Sequence, residues 1–217
     1  KDFLSWRGVT VVMASEDEMF DDSFTKGDDW EMLFEREDAW IKRKYEEEGN
    51  LYRFYTRGIL KGVTSKLLFD VSMDLDYRTS WDANTPKCET FTEDVTDEEG
   101  HVVQHVYWVI KYPWPMSSRD YVCLRKSKKI SDTVYSIVSE SIERQEYPAA
   151  KTCGVRVATF DSKLYMRCTG DGNCEFVSIY YEDPGGSVPK WLINWAVKTA
   201  VPKGLDDLRG TALGYEK

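Results

Sequence analysis

An arginine and an aspartate four residues apart are the side chains whose types and spacing could most directly do chemistry. Arg78 and Asp82 lie in the stretch 76–82 (DYRTSWD), where a helical period places them one turn apart, the spacing of an ion pair. If this helix is partly buried, the planar guanidinium becomes a fixed receptor for an anion such as phosphate, and Asp82 aligns it. An ordinary surface ion pair is the alternative, and burial decides between the two.

Aromatic side chains in two later strand-like segments offer a second kind of chemistry, the binding of a cation or an apolar ligand. Alternation over 102–112 puts Trp108 on an inward face with apolar residues such as Ile110. A plain core tryptophan is the alternative there. Tyr121 alternates with Val122 and shares a side with two arginines, so alternation alone places Tyr121 outside.

The groups that an enzyme or a metal site needs are not evident in the sequence. His101 and His105 lie four apart in a strand-like segment, which separates them by about 13 Å, too far to share one metal ion. Neither a nucleophile elbow nor a phosphate-binding loop occurs. We therefore expect no metal, no cofactor and no catalytic residue, and we interpret the chain as a binding protein.

Charge and composition indicate a globular cytoplasmic protein. The 29 basic against 38 acidic residues give a net charge of −9, which argues against binding to nucleic acid. No apolar run approaches the roughly 18 residues of a membrane-spanning helix. The five cysteines lack a C-x-x-C pair, which favours reduced thiols, although Cys168 and Cys174 could pair across a hairpin. Because the chain starts at Lys1, a preceding targeting segment stays open.

Periodicity and turn residues divide the chain into an acidic N-terminal arm, residues 1–27, and one domain, residues 28–217. The arm is expected to be flexible and to lie outside the core. The domain alternates strand-like and helical segments and ends in a helix beyond Pro189. The expected elements are a short helix over 30–39, strands over 40–46 and 51–60, a helical insertion over 64–81, a β-meander over 87–183, and the C-terminal helix.

These elements make an α+β fold in which the last helix covers the concave face of a long antiparallel sheet. A strongly curved sheet around one helix can enclose a ligand cavity.

Three long stretches resemble the START lipid-transfer domain, and within it the phosphatidylcholine transfer protein branch. They are residues 76–82 (DYRTSWD), 107–122 (YWVIKYPWPMSSRDYV) and 183–195 (DPGGSVPKWLINW). The similarity runs in order over about residues 30–209. It implies a helix-grip fold, a long curved antiparallel sheet wrapped around the C-terminal helix, with a tunnel for one lipid.

The resemblance also implies roles for particular residues. A buried arginine that takes the lipid phosphate would be Arg78, paired with Asp82, and an aromatic cage for choline would be Trp108, Tyr121 and Phe160. The resemblance thus implies that Tyr121 faces the interior, whereas the alternation of residues along its strand places it outside. Phe160 stands where the phosphatidylcholine carrier has a tyrosine, and Ser72 and Ser162 stand where that carrier has larger polar side chains, so the head group is less firmly implied than the fold.

The C-terminal helix is expected to be the gate and the membrane contact. Pro202 lacks a backbone donor and should kink or end the helix after Val201, with a hinge over 202–204. The residues expected to form the gate are Trp191, Leu192, Trp195, Val197 and Pro202. A merely buried closing helix is the alternative.

The sequence thus predicts a monomeric cytosolic carrier, not an enzyme, that binds one glycerophospholipid and docks transiently on membranes. Phosphatidylcholine is the first choice of ligand. The alternatives are a lipid-sensing interaction module and a carrier of phosphatidylethanolamine, ceramide or sterol. No protein partner is indicated.

Overall fold

The computed structural model describes residues 3–6, 9–12, 16–143, 154–186 and 189–216. The strands are β1 Phe3–Trp6, β2 Val9–Val12, β3 Trp30–Arg36, β4 Ala39–Glu46, β5 Leu51–Leu60, β6 Lys87–Thr90, β7 Val95–Thr96, β8 Val102–Ile110, β9 Arg119–Lys129, β10 Val134–Ser141, β11 Val155–Arg156, β12 Thr159–Cys168 and β13 Cys174–Asp183. The helices are α1 Glu16–Phe20, a 3₁₀ turn Ser23–Lys26, α2 Ser65–Met73, α3 Leu75–Trp81, α4 Lys190–Trp195, a π-helical segment Ala196–Ala200 and α5 Val201–Leu213.

Eleven strands form one long, curved antiparallel sheet that does not close into a barrel. Strands β8, β9, β10, β12 and β13 follow one another as the meander that the turn residues predict. Strand β5 pairs with the far side of β13 and brings β4 and β3 with it. Strand β6 lies at the opposite end, while β7 pairs with β8, and β11 pairs in parallel with the start of β9. With the C-terminal helix this confirms the α+β, helix-grip prediction.

The first predicted helix, residues 30–39, is wrong. Residues 30–36 form β3, which pairs with β4 in a hairpin that is tightened by the ion pair of Glu31 and Arg43, 2.8 Å. The register shifts between Met32 and Phe34, so the residue between them is extra on its strand. A β-bulge of this kind turns a spacing of two into three, which is why the apolar pattern imitated a helical period.

The acidic segment before β3 is partly packed, unlike the expectation that it lies outside the core. Met19 and Phe20 at the end of α1 are 7% and 3% exposed and contact a cluster that includes Tyr55. Lys42 of β4 donates to the carbonyl of Thr25 at 2.9 Å. These two apolar side chains are hidden among acidic neighbours, so charge counting alone missed them. The domain boundary at residue 27 stays a prediction.

Helices α2 and α3 form the predicted insertion between β5 and β6, and α2 packs on the central strands β10, β12 and β13. The Thr64 hydroxyl accepts from the N–H of Leu67 at 3.2 Å and caps α2, as predicted. Asp74 ends α2 and caps α3, accepting from the N–H of Tyr77 at 2.9 Å. The shared residue turns the chain sharply, and α3 then runs beside β6.

The C-terminal helix departs from the prediction at Pro202. The helix does not end after Val201; instead α4 passes into a π-helical turn at Ala196, and α5 starts at Val201 and continues to Leu213. Pro202 therefore lies in the first turn of α5, directly after the π-helical segment that leads into it. The irregularity falls at 196–200, ahead of the predicted hinge.

The structure bears on two further expectations, that the cysteines are reduced and that no helix spans a membrane. Cys168 and Cys174 face each other in register across the β12–β13 hairpin, and both are free thiols, as are Cys88 and Cys123. Cys153 lies outside the described residues. Among the helices of the described part, none is long and apolar enough to cross a membrane.

Candidate functional site

Arg78 on α3 is held by Asp82 one turn later. Its Nε donates to Asp82 Oδ2 at 2.9 Å, and Nη2 lies 2.7 Å from the same oxygen. The two side chains are 31% and 15% exposed, so the pair is half-buried, between the two alternatives that the sequence left open. The guanidinium also lies over the rings of Trp81 and Trp108, 4.7 and 5.4 Å from their centroids. It is oriented by one carboxylate and two indoles.

Thr85 connects this pair to the aromatic residues, and sequence reasoning missed it. The hydroxyl of Thr85 donates to Asp82 at 2.8 Å and accepts from the indole N–H of Trp108 at 3.3 Å. Thr85 is fully buried. Its position three residues after Asp82 is the only sequence signal, since the loop that positions Thr85 has no period.

The three predicted cage residues lie in one row on the inner face of the sheet. Trp108 and Tyr121 are register partners on β8 and β9, with ring centroids 5.9 Å apart. Tyr121 contacts Phe160 edge to face at 5.3 Å. Phe160 contacts Tyr180 of β13 at 5.6 Å, again edge to face. Tyr180 thus extends the row, although it was not among the predicted residues.

The alternation argument that put Tyr121 outside is wrong. Tyr121 is 2% exposed, and the two arginines on its side, Arg119 and Arg125, are 3% and 9% exposed. Arg119 donates to the carbonyls of Pro184 and Ser117, each at 2.6 Å, and Arg125 donates to a carbonyl of α2. Burial lowers the pKa of Arg125, and nearby Arg78 acts in the same direction. The two arginines on the face of Tyr121 are therefore interior residues, whereas Lys126, Lys128 and Lys129 of the same strand are half-buried or exposed.

A carboxylate surrounded by tyrosines lies at the other end of the row. Glu182 accepts from the hydroxyls of Tyr112 at 3.0 Å, Tyr121 at 2.7 Å and Tyr180 at 2.6 Å. Burial, reinforced by the charge of Glu182, raises the pKa of all three phenols, so each stays a neutral O–H donor at neutral pH. Tyr180 and Glu182 share a face because they are two apart on β13, a signal that the sequence contained.

The main cavity, about 930 Å³, lies between the sheet and the C-terminal helix. Its volume is near the top of the roughly 300–1,000 Å³ typical of ligand pockets. Tyr112, Tyr180 and Glu182 form part of its wall, whereas Arg78 and the three predicted cage residues lie beyond that wall. A smaller cavity of about 220 Å³ under α2 and α5 shares Thr56 and Ser178 with it.

The predicted gate residues lie on both sides of the C-terminal helix. Leu192, Trp195 and Val197 line the main cavity, and Leu192 is 5% exposed. Trp191 is 44% exposed and faces away. Pro202 is half-buried at the start of α5. The helix thus presents one face to the cavity and one large apolar side chain to solvent.

One group of metal-type ligands occurs in the part of the chain that the structure describes. Donor atoms of Asp97, Glu99 and His101 lie within 4.8 Å of one another in the turn before β8. Lys126 contacts Asp97 at 3.3 Å, and His101 donates its backbone N–H to the same carboxylate at 2.9 Å. These bonds hold the pKa of Asp97 down to about 2 and explain the cluster as a turn.

Comparison with known proteins identifies relatives along nearly the whole chain. The profile described as "START domain" matches residues 10–215. Phosphatidylcholine transfer protein of Mus musculus is 33% identical over 194 residues, covering 88% of this chain and 87% of that protein. Human "StAR-related lipid transfer protein 7, mitochondrial" is 29% identical over 197 residues, covering 89% of this chain and 52% of that protein.

Solved structures agree on the fold. Human STARD10 superimposes with a TM-score of 0.75 at 23% identity, covering 97% of this chain and 84% of that one. Human StAR-related lipid transfer protein 5 gives 0.74 at 16% identity, covering 89% and 91%. Given the match over residues 10–215 and a relative at 33% identity, the chain belongs to the START domain family of lipid-transfer proteins and is a carrier rather than an enzyme.

Proposed function

We propose that this chain binds one molecule of phosphatidylcholine and carries it between membranes as a cytoplasmic monomer that docks transiently on each surface. The relatives named phosphatidylcholine transfer protein, at 31–33% identity, support the head group. Identity at this level shows the family, and the choice of lipid rests on the site.

The observation that carries the proposal is the position of Arg78 beside the aromatic row. Its guanidinium stacks 5.4 Å from the ring of Trp108, which lies opposite Tyr121. In this proposal Arg78, aligned by Asp82, binds the phosphate, and the faces of Trp108, Tyr121 and Phe160 bind the quaternary ammonium. A cation over aromatic faces gains about 2 kcal/mol or more when desolvated, and a head group without a cationic amine lacks this contribution.

The two acyl chains would occupy the cavities beneath the C-terminal helix. The walls supplied by that helix are apolar, including Leu192, Ile193 and Val197. A lipid cannot reach an interior bounded by this helix unless an element moves. The π-helical segment 196–200 interrupts the α-helical hydrogen-bonding pattern of that helix, so we assign the opening movement to it.

The test is transfer of labelled phosphatidylcholine from donor to acceptor vesicles by the purified chain. Native mass spectrometry of the loaded protein measures the stoichiometry. The proposal requires one lipid per chain and transfer well above spontaneous exchange. Absence of a bound phospholipid after incubation with vesicles, in a folded protein, would refute it.

A further inference from the structure

Glu182 is a carboxylate on the wall of the main cavity whose hydrogen-bond donors are all neutral. Three tyrosine hydroxyls donate to it, at 2.6 to 3.0 Å. In the described part of the chain, no lysine, arginine or histidine forms an ion pair with it. A carboxylate removed from bulk water is costly unless a cation or several donors compensate its charge. The three tyrosines supply hydrogen-bond donors to Glu182, and none of them carries a positive charge.

The geometry leaves room for a cationic partner on the cavity side. A carboxylate offers about four acceptor positions, and the tyrosines use three of them. Two of these phenols, Tyr121 and Tyr180, are also members of the aromatic row, so their hydroxyls fix Glu182 on the β13 side of the row, whereas Arg78 stacks on Trp108 of β8. The side chain is therefore oriented before any ligand binds.

Arg119 is a cation that shares a partner, Tyr112, with Glu182. Its guanidinium lies over the ring of Tyr112, 4.9 Å from the centroid, while its N–H groups bind the carbonyls of Pro184 and Ser117. Arg119 thus touches the cluster through a ring face and holds no oxygen of Glu182. Its charge moderates the field of the carboxylate and leaves the carboxylate without a direct ionic partner.

We propose that Glu182 is the counter-ion of the ammonium in the lipid head group, so that the site selects phospholipids with a cationic amine over anionic phospholipids. This inference rests on the proposed carriage of a phospholipid and adds a residue to it. Phosphate then lies towards Arg78 and the amine towards Glu182. A primary ammonium donates to the remaining acceptor position, and a quaternary ammonium approaches the same charge without a hydrogen bond.

The experiment measures lipid selection by the full chain. Protein is incubated with vesicles holding equal amounts of phosphatidylcholine, phosphatidylethanolamine and phosphatidylglycerol with the same acyl chains, then recovered, and its lipid is quantified. The variants are Glu182→Gln, which removes the charge at constant size, and Glu98→Gln, the same substitution at an exposed turn residue. Circular dichroism and thermal melting check the fold of each.

The inference predicts that the ratio of amine lipids to phosphatidylglycerol falls by at least about tenfold in Glu182→Gln and stays unchanged in Glu98→Gln. An unchanged ratio in folded Glu182→Gln would show that the tyrosine cluster only braces the sheet, and would overturn the inference while leaving phosphatidylcholine carriage intact. If Glu182→Gln does not fold, the wild-type chain decides the question. A wild-type chain that takes up phosphatidylglycerol as well as the two amine lipids overturns the counter-ion role of Glu182. A wild-type chain that takes up no phospholipid overturns both proposals.

Discussion

Replacing Arg78 by alanine is the most direct test of the phosphate end of the site. A hydrogen bond to a charged group contributes about 1.5–3 kcal/mol, and the 31% exposure of this side chain argues for the lower half of that range. We therefore expect a loss of about 2 kcal/mol in lipid binding, which is roughly a 30-fold rise in Kd. The Kd of Arg78→Lys should lie between those of the wild type and Arg78→Ala, because the lysine ammonium keeps the charge and lacks the planar fork of the guanidinium.

The effect on folding should be much smaller than the effect on binding. Asp82 still accepts hydrogen bonds from the hydroxyl of Thr85 and from the N–H of Asn84, so its carboxylate keeps two donors when Arg78 is removed. Loss of a helical i,i+4 pair costs about 0.3–0.5 kcal/mol.

The assay is equilibrium binding of a fluorescent phosphatidylcholine. Lys66→Ala is the matched control, since Lys66 forms an i,i+4 pair with Asp70 on the exposed face of the preceding helix. Binding by Arg78→Ala that stays within about twofold of that control, in a folded protein, would refute the role of Arg78 in taking the phosphate.

Three further variants probe the aromatic row, the gate and a buried amine. Trp108→Leu should reduce the preference for phosphatidylcholine over phosphatidylethanolamine by about threefold to 30-fold in a competition assay, because it removes the ring that faces the cation; a constant ratio would contradict the cage. A reversible disulfide between the π-helical segment 196–200 and β3, which contact each other, should stop vesicle transfer when oxidised and restore it when reduced, and full transfer by the oxidised form would move the gate elsewhere. Burial lowers the pKa of Lys163 to about 8, below its value of 10.5 in the unfolded chain. Between these two pH values the unfolded chain binds more protons than the folded chain, so the free energy of unfolding should rise with pH. Urea unfolding at pH 7.5 and 10 should show that gain, about 1–3 kcal/mol, in the wild type relative to Lys163→Met, and equal pH dependence in both would contradict the assignment.

Local signals predicted those parts of the fold in which neighbouring residues determine the structure. The Thr64 cap, the break before α3 and the turns of the meander each depend on a few adjacent residues, and each has its expected place. The pairing of β5 with β13 joins residues more than a hundred positions apart, and no spacing in the chain encodes it. The family resemblance supplied that long-range arrangement.

Single-face alternation failed where both faces of the sheet are covered. On β9, Tyr121 packs with Phe160 on one side, while Val122 packs with Tyr107 and Val109 on the other. Hydrophobicity therefore does not distinguish inside from outside along this strand. The arginines beside Tyr121 reinforced the wrong choice, since a buried guanidinium is rare without partners, and backbone carbonyls are partners that sequence does not display.

The arrangement of charge along the aromatic row explains why the three binding variants should respond to different lipids. Arg78 contacts Trp108 at one end, and Glu182 accepts from Tyr180 and Tyr121 at the other. In the proposed complex a zwitterionic head group matches this polarity in one direction only, with phosphate at the guanidinium and amine at the carboxylate. Loss of Arg78 should then weaken every phospholipid, loss of Glu182 should weaken amine lipids relative to anionic ones, and loss of the Trp108 ring should weaken the methylated amine most. A pattern in which all three variants lower all lipids equally would mean that the row is only a packed core, and that the head group lies inside the main cavity instead.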